Sequence, residues 1–207
     1  MKIKKIVFAL ATCPLLLAVL CEEEEISTVS DRNKTKITLS EGPNFTLNDT
    51  LWITGRVSSM LTDLSTGDSI MNSNETIRDI ISVMRLQTAV NTSNTTEAVS
   101  EFEIVSRIGS IDFLGICPDS ELIARAPLTE NEQEYVYKIG LVPSNTGDFV
   151  LSWLEPADLR NSNLNLQILE QYAFSNSPNS LGLSKCGITS TVLDVRESQR
   201  EFFFSVN

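Results

Sequence analysis

Residues 135–154, YVYKIGLVPSNTGDFVLSWL, contain the pattern that decides the fold class of this chain. Over residues 135–142, large apolar side chains occupy every second position, which is the period of a β-strand with one buried face. The alternation returns over residues 149–154. Between the two runs, residues 144–148 are Ser, Asn, Thr, Gly and Asp, which favour turns. The stretch therefore predicts two antiparallel strands joined as a hairpin.

Apolar segments of similar length occur on both sides of this hairpin, separated by residues that favour turns. The strongest covers residues 50–58, where Leu51 and Ile53 share one face with Val57 further along. Trp52 lies on the opposite, polar face of the same strand. Further strands are predicted over residues 36–39 (an edge strand), 187–195 and 200–206. The chain from residue 35 onward is therefore predicted to form one all-β domain.

Three segments depart from the simple strand pattern. Residues 74–88 place isoleucines at helical spacing but also contain a run typical of a strand, and a strand over residues 80–88 is the favoured prediction. Residues 159–172 predict a short helix, and residues 95–101 predict a helical turn. The domain is therefore expected to carry one or two short helical insertions.

The two runs on either side of Gly147 resemble the last hairpin of a bacterial immunoglobulin-like β-sandwich. The resemblance covers most of residues 36–207 and concerns architecture. It implies an all-β, mainly antiparallel, immunoglobulin-like β-sandwich with one or two short helical insertions. It implies no particular activity, because one fold serves many functions.

The N-terminus has the composition of an export signal. Lysines within residues 1–5 precede a mostly apolar run over residues 6–20, which is shorter than the about 20 residues that a membrane span needs. The run ends at Cys21, and residues 22–25 are all glutamate. A cysteine at this place resembles the lipobox of bacterial lipoproteins, although Leu20 stands where a small residue is usual. The acidic run is similar to the export signal of surface lipoproteins in the Bacteroidota.

The lipoprotein resemblance implies that Cys21 is lipidated and that the membrane is a partner through this anchor. The chain would then consist of a signal peptide over residues 1–20, an acidic flexible tether over residues 21–34 and a single β-sandwich domain over residues 35–207. It would be exported to the outer membrane and would face the cell exterior. A plain cleaved secretory signal and an uncleaved anchor are the two alternatives.

Charge and cysteine content narrow the functional classes. The 207 residues carry a net charge of −11, and removal of the signal leaves 13 basic residues against 27 acidic ones, a net charge of −14. Such an acidic chain is unsuited to nucleic acid. With Cys13 in the signal and Cys21 lipidated, Cys117 and Cys186 remain, and an exported domain is expected to join them in a disulfide.

The residue types also exclude familiar chemistries. The chain contains no histidine, which excludes Ser-His-Asp and Cys-His catalysis and histidine-based zinc sites. Glu130, Glu132 and Glu134 alternate ahead of an aromatic strand and are predicted to share one solvated strand face rather than form a paired acid–base site. The loops over residues 41–49 and 63–68 carry carboxylates but match no EF-hand spacing. The sequence therefore assigns no catalytic residue, no cofactor and no metal ligand.

Trp52 is the candidate ligand-binding residue, because an exposed tryptophan can stack on the face of a sugar ring. Trp153 lies on the apolar face of its strand and is predicted in the core. The sequence thus predicts a non-enzymatic, lipid-anchored cell-surface protein with a binding, adhesion or accessory-subunit role and a glycan or protein partner. The alternatives are a carboxylate-dependent hydrolase acting on surface polysaccharide and an inhibitor-type lipoprotein that binds another protein.

Overall fold

The computed structural model of the chain describes residues 30–31, 34–40, 42–72, 74–90, 93–154, 157–160, 166–172, 180–192 and 200–207. The predicted signal peptide, Cys21 and most of the predicted tether lie outside the described residues. Within the tether, Ser30–Asp31 form a short strand that pairs with Met60–Asp63. No helix among the described residues is long and apolar enough to cross a membrane.

The described residues form a succession of β-strands with one short α-helix and one 3-10 turn. The first strands are β1 (Ser30–Asp31), β2 (Thr35–Leu39), β3 (Asn44–Phe45), β4 (Leu51–Ser58), β5 (Met60–Asp63), β6 (Ser69–Met71), β7 (Thr76–Val90) and β8 (Ser93–Glu97). The 3-10 turn Val99–Glu101 is followed by β9 (Phe102–Ile108), β10 (Ser110–Phe113), β11 (Glu121–Pro127), β12 (Glu134–Pro143), β13 (Gly147–Trp153) and β14 (Ala157–Arg160). The last elements are helix α1 (Leu166–Tyr172), β15 (Leu181–Lys185), β16 (Ile188–Val192) and β17 (Glu201–Val206).

Most of these strands belong to two sheets whose apolar faces pack against each other. The seven-stranded sheet has the order β10-β11-β7-β13-β17-β3, with β8 also paired to β7, and the five-stranded sheet has the order β14-β2-β4-β12-β9. Within them, β14 with β2 and β17 with β3 are parallel pairs, and the other pairs are antiparallel. The predicted all-β, mainly antiparallel sandwich is confirmed.

The main core lies between the two sheets and follows from the alternation seen in the sequence. On β12, Tyr137 and Ile139 are at most 1% exposed, and they share one cluster with the fully buried Phe149 and Leu151 of β13. Trp153 lies in the same cluster, as predicted. Burying each such side chain contributes on the order of 1.5–3 kcal/mol to folding. These contacts therefore hold the two sheets together.

The seven-stranded sheet is also covered on its second face. Val150 of β13 and Phe203 of β17 belong to a separate cluster, together with Ile168 of α1 and Leu181 of β15. Strands that are buried on both faces lose the simple alternation of apolar and polar residues. This explains the continuous apolar runs Phe-Val-Leu in β13 and Phe-Phe-Phe in β17.

The predicted hairpin is wrong, although both of its strands form. β12 pairs with β4 and β9, whereas β13 pairs with β7 and β17, so the chain crosses from one sheet to the other between Pro143 and Gly147. The reason is that β13 carries fully buried side chains on both faces, Leu151 and Val150, and such a strand fits the middle of a sheet that is covered on both sides. The immunoglobulin-like topology relied on that hairpin and stays a prediction.

Other predicted elements form with different bounds or neighbours. Residues 80–88 belong to β7, which decides the choice between helix and strand in favour of the strand. β2 is not the predicted edge strand, because β14 pairs alongside it. β14 also takes up the beginning of the segment 159–172, and the described helix of this segment is Leu166–Tyr172.

Candidate functional site

The outer face of the five-stranded sheet carries the candidate ligand-binding residue. On β4, the alternation buries Leu51, Ile53 and Val57 in the main core. It turns Trp52 to the opposite side of the sheet, where the side chain is half-buried. In the antiparallel register, Trp52 stands directly opposite Gly140 of β12.

Gly140 leaves the space that the indole ring occupies. A methyl group at this position would lie 2.7 Å from Thr50 Cγ2, 2.8 Å from Val105 Cγ2 and 3.0 Å from Trp52 Cζ3. A side chain there would therefore collide with Thr50 and Val105 and press against the indole ring. An aromatic residue that covers a glycine on the neighbouring strand is a recurrent way to pin strand register.

A bulge in the edge strand β9 brings a guanidinium group to this ring. The register between β9 and β12 shifts between Lys138 and Ile139, where Arg107 is the extra residue of β9. The guanidinium carbon of Arg107 lies over the Trp52 ring, 4.1 Å from its centre, which is within cation–π distance. Arg107 remains exposed. The indole thus supports the guanidinium from one side while solvent reaches it from others.

Lys138 is the second cation at this ring. It extends from β12, and its Nζ lies 5.4 Å from the ring centre of Trp52. Neither Lys138 nor Arg107 forms a salt bridge with another described residue. We call the surface formed by Trp52, Arg107, Lys138 and Gly140 the Trp52 face. It combines one aromatic ring with two cations that contact no carboxylate among the described residues.

The carboxylates of this sheet lie away from the two cations. Glu134 is paired with Arg56 at 3.1 Å. Glu103 stands opposite Val142, four residues along β12 from Lys138, which is about 13 Å in a strand. The Trp52 face is therefore locally positive in a chain whose net charge is −11.

This geometry limits how Trp52 can meet a ligand. The guanidinium of Arg107 already occupies the stacking distance on one side of the ring. A ligand that approaches from that side meets N–H donors before it meets the indole. Guanidinium groups suit paired acceptor oxygens such as those of a carboxylate or a sulfate. Sequence reasoning missed both cations: alternation along β12 would have placed Lys138 outward, but no residue pattern marks the bulge that positions Arg107.

Cys117 and Cys186 lie at disulfide distance, with their Cα atoms 5.6 Å apart. Cys186 and Gly187 both have positive φ, 51° and 75°, which suits the two-residue turn between β15 and β16. The bridge ties the tip of this hairpin to the loop that follows β10.

Glu97, at the end of β8, lies against this bridge. Its Oε1 accepts a hydrogen bond from the Cys186 amide and lies 3.3 Å from Cys117 Sγ. These three residues hold metal-type donor atoms within 4.8 Å of one another. In the disulfide, however, neither sulfur is a thiolate, and the thiolate is the form that binds metals. While the disulfide is intact, the carboxylate of Glu97 is therefore the only one of the three groups in a form that binds metals.

The three glutamates considered for catalysis do not share a strand face. Glu134 belongs to β12 and pairs with Arg56. Glu132 has a φ of 56° and lies with Glu130 in the turn that precedes the strand. The predicted common face is wrong, because β12 begins only at Glu134 and the preceding residues reverse the chain direction.

The two acidic loops are closed by their own hydrogen bonds. Asp63 Oδ1 accepts from the Ser65 hydroxyl at 2.6 Å and from the Ser65 amide at 2.7 Å. These bonds hold the pKa of Asp63 below its usual value, because they stabilise the charged form. Asp49 Oδ2 likewise accepts from the Thr46 amide at 2.7 Å. Asp63 and Asp49 thus stabilise turns.

An open cleft of about 430 Å³ lies beside the 3-10 turn. Its wall is mainly apolar and includes Phe102, Ile104 and Phe113. The polar residues at its edge bond to each other, since Asp119 Oδ1 accepts from the Ser100 amide. The cleft offers apolar contact but little that would orient a ligand.

Comparison with known proteins assigns no family to this chain. No protein-family model matches the sequence, and no curated protein matches it significantly. The Trp52 face and the N-terminal sequence are therefore the features that indicate a function.

Proposed function

We propose that this protein is a non-enzymatic, lipid-anchored cell-surface protein that binds a glycan on its Trp52 face. Cys21 would carry the lipid after removal of residues 1–20, and residues 21–34 would tether the domain to the outer membrane. The domain would face the cell exterior. The protein would then serve adhesion, polymer capture or a larger surface assembly.

The observation that carries the binding role is the contact of Arg107 and Lys138 with one outward-facing tryptophan. Burial in the core accounts for Trp153, which is 1% exposed, but it does not account for the position of Trp52. Tryptophan and arginine are enriched at binding surfaces, where they contribute much of the affinity. The surrounding strands are rigid elements, which keeps such a site ordered before binding.

The non-enzymatic part of the proposal follows from residue types and their placement. The chain has no histidine. Glu130, Glu132 and Glu134 differ in local structure and do not present paired carboxylates on one strand. The three glutamates therefore do not support the hydrolase alternative.

The anchor is tested by the mass of the mature N-terminal peptide from native membranes. We expect a diacylated Cys21 as the first residue, and we expect Cys21→Ala to release the protein from the membrane fraction. An unmodified peptide that spans Cys21, or a mature chain that begins beyond it, would overturn the lipoprotein assignment.

The binding role is tested with the full chain in detergent on a panel of immobilised polysaccharides. We expect retention on at least one of them and a loss of about tenfold in affinity for Trp52→Ala, the order expected when a residue at the centre of a binding surface is truncated. Arg125→Ala is the matched surface control, because Arg125 is exposed on the other sheet and pairs with Asp112. Retention on none of the polysaccharides, or release of reducing sugar from any, would contradict the proposal.

A further inference from the structure

We infer that the Trp52 face recognises an acidic polysaccharide, with Arg107 and Lys138 as the contacting groups and Trp52 as the residue that positions Arg107. This inference rests on the proposed function, because it names the chemical class of the glycan that the same face would bind. The ligand would carry carboxylate or sulfate groups along a chain of sugars.

The Arg107 guanidinium is oriented by the Trp52 ring. Its carbon lies 4.1 Å from the Trp52 ring centre, so the ring orients the group through a π contact that uses none of its N–H donors. Arginine has five such donors. Among the described residues, Arg107 has no salt bridge that would occupy them. An oriented, exposed guanidinium of this kind is prepared for a two-point hydrogen bond with an anionic group.

Arg107 and Lys138 place two positive charges at the same ring. Lys138 Nζ and the guanidinium carbon of Arg107 both lie close to the same ring centre, at 5.4 Å and 4.1 Å. Two positive groups so placed can bind negative groups on neighbouring units of one polymer. Unlike Arg56, which pairs with Glu134, neither cation has a carboxylate in contact within the part of the chain that the structure describes.

The position of Arg107 over the Trp52 ring is unfavourable for stacking of a neutral sugar. A sugar that stacks on Trp52 from the covered side would have to displace Arg107. An acidic polysaccharide keeps that contact and adds hydrogen bonds to it. The absence of a side chain at Gly140 lets the indole lie against β12.

The test measures affinity of the full chain in detergent for a matched set of polymers. The probes are dextran, dextran sulfate and polygalacturonate, which separate neutral, sulfated and carboxylated chains. We expect binding to one or both acidic polymers and at least tenfold weaker binding to dextran. The affinity should fall as sodium chloride is raised, because salt screens charge attraction at an exposed site.

Substitutions assign the contacts. Arg107→Ala should weaken binding about tenfold and Lys138→Ala severalfold, because each removes a charge-assisted contact. Arg107→Lys should give an intermediate loss, since it keeps the charge but not the planar pair of donors. Arg125→Ala, which removes an exposed arginine from the other sheet, should leave affinity unchanged.

A double substitution separates positioning from direct stacking. If Trp52 acts through Arg107, Trp52→Ala weakens binding in the native chain but adds no further loss in an Arg107→Ala background, and Trp52→Phe restores most of the affinity. A further loss in that background would overturn the positioning role. Thermal unfolding of every variant provides the check that the fold is retained.

The remaining outcomes distinguish this inference from the proposed function. Equal binding of dextran and dextran sulfate, with Arg107→Ala unchanged, would overturn the inference and leave glycan binding in place. Equal binding of polyglutamate and the acidic polysaccharides would also overturn it. The Trp52 face would then recognise negative charge on any polymer and would not distinguish a polysaccharide from a polypeptide. Binding to none of the polysaccharides would overturn both.

Discussion

The hydroxyl of Tyr137 donates a hydrogen bond of 2.7 Å to Asp79 Oδ2 in the interior of the sandwich. Tyr137 belongs to β12 and Asp79 to β7, so this bond joins the two sheets. Trp153 Nε1 lies 3.4 Å from the same hydroxyl oxygen and donates to it. Gly55 makes room for the arrangement, because a Cβ at this position would collide with the Tyr137 ring. The Tyr137 hydroxyl thus links the two sheets through hydrogen bonds inside the core and fixes their relative position.

We expect Tyr137→Phe to lower the free energy of unfolding by about 1–3 kcal/mol, because it removes a donor from a buried carboxylate. The measurement is urea unfolding followed by fluorescence. Tyr135→Phe is the matched control, since the Tyr135 hydroxyl donates to the carbonyls of Asn72 and Asn74 at the edge of the core. A loss for Tyr137→Phe no larger than that of the control would contradict the central role of the bond to Asp79.

The disulfide gives a second prediction. It closes a loop with a sequence separation of 69, for which the chain-entropy model gives a stabilisation of at most about 4 kcal/mol. We therefore expect replacement of both Cys117 and Cys186 by alanine to lower the free energy of unfolding by a few kcal/mol. The native chain unfolded in the presence of a reductant should behave like the double variant. Equal stability of the oxidised and the double-variant protein would show that the bridge does not constrain the unfolded chain.

Glu97 should protect the bridge from reduction. Its carboxylate lies 3.3 Å from Cys117 Sγ, so an attacking thiolate meets a negative charge. Even at the dielectric constant of bulk water, one charge at about 4 Å contributes about 1 kcal/mol, which corresponds to about fivefold in rate. We expect Glu97→Gln to speed reduction by a small dithiol by about that factor. Glu103→Gln, on the other sheet, is the control, and equal rates for the two variants would rule out a local charge effect.

Strand positions were predictable where one face of a strand is buried. The alternation over residues 50–58 is enough to send Ile53 inward and Trp52 outward, because a period of two allows no other arrangement once one face meets the core. The expected disulfide between Cys117 and Cys186 likewise followed from cysteine count and expected compartment, without knowledge of the fold.

Strand partners and the contacts of the Trp52 face were not predictable in the same way. Alternation in β12 and β13 fits both a hairpin and a crossover between sheets, and the second core around Val150 and Phe203 decides between them. The contact between Arg107 and Trp52 depends on a one-residue bulge in β9. The extra residue is an arginine rather than a glycine, so no residue type marks the bulge in the sequence.

The turn at Asp63 makes a prediction about acid stability. Hydrogen bonds from the Ser65 hydroxyl and amide lower the pKa of Asp63 in the folded chain below the ordinary value of 3.8. The unfolded chain therefore binds the proton more tightly, so this carboxylate stabilises the fold above that ordinary pKa. The stabilisation is lost as the pH falls through the lower, folded pKa.

We expect the stability difference between the native chain and Asp63→Asn to be constant from pH 7 down to about pH 5 and to shrink below about pH 4, where Asp63 of the unfolded chain becomes protonated before that of the folded chain. Ser65→Ala keeps the carboxylate but removes its hydroxyl donor, so its stability should depend on acid less steeply than that of the native chain. The measurement is the urea midpoint of the three proteins across this range. If the urea midpoints of the native chain and Asp63→Asn differ by a constant amount down to pH 3, the prediction is wrong. The hydrogen bonds from Ser65 would then hold the turn without shifting the titration of Asp63.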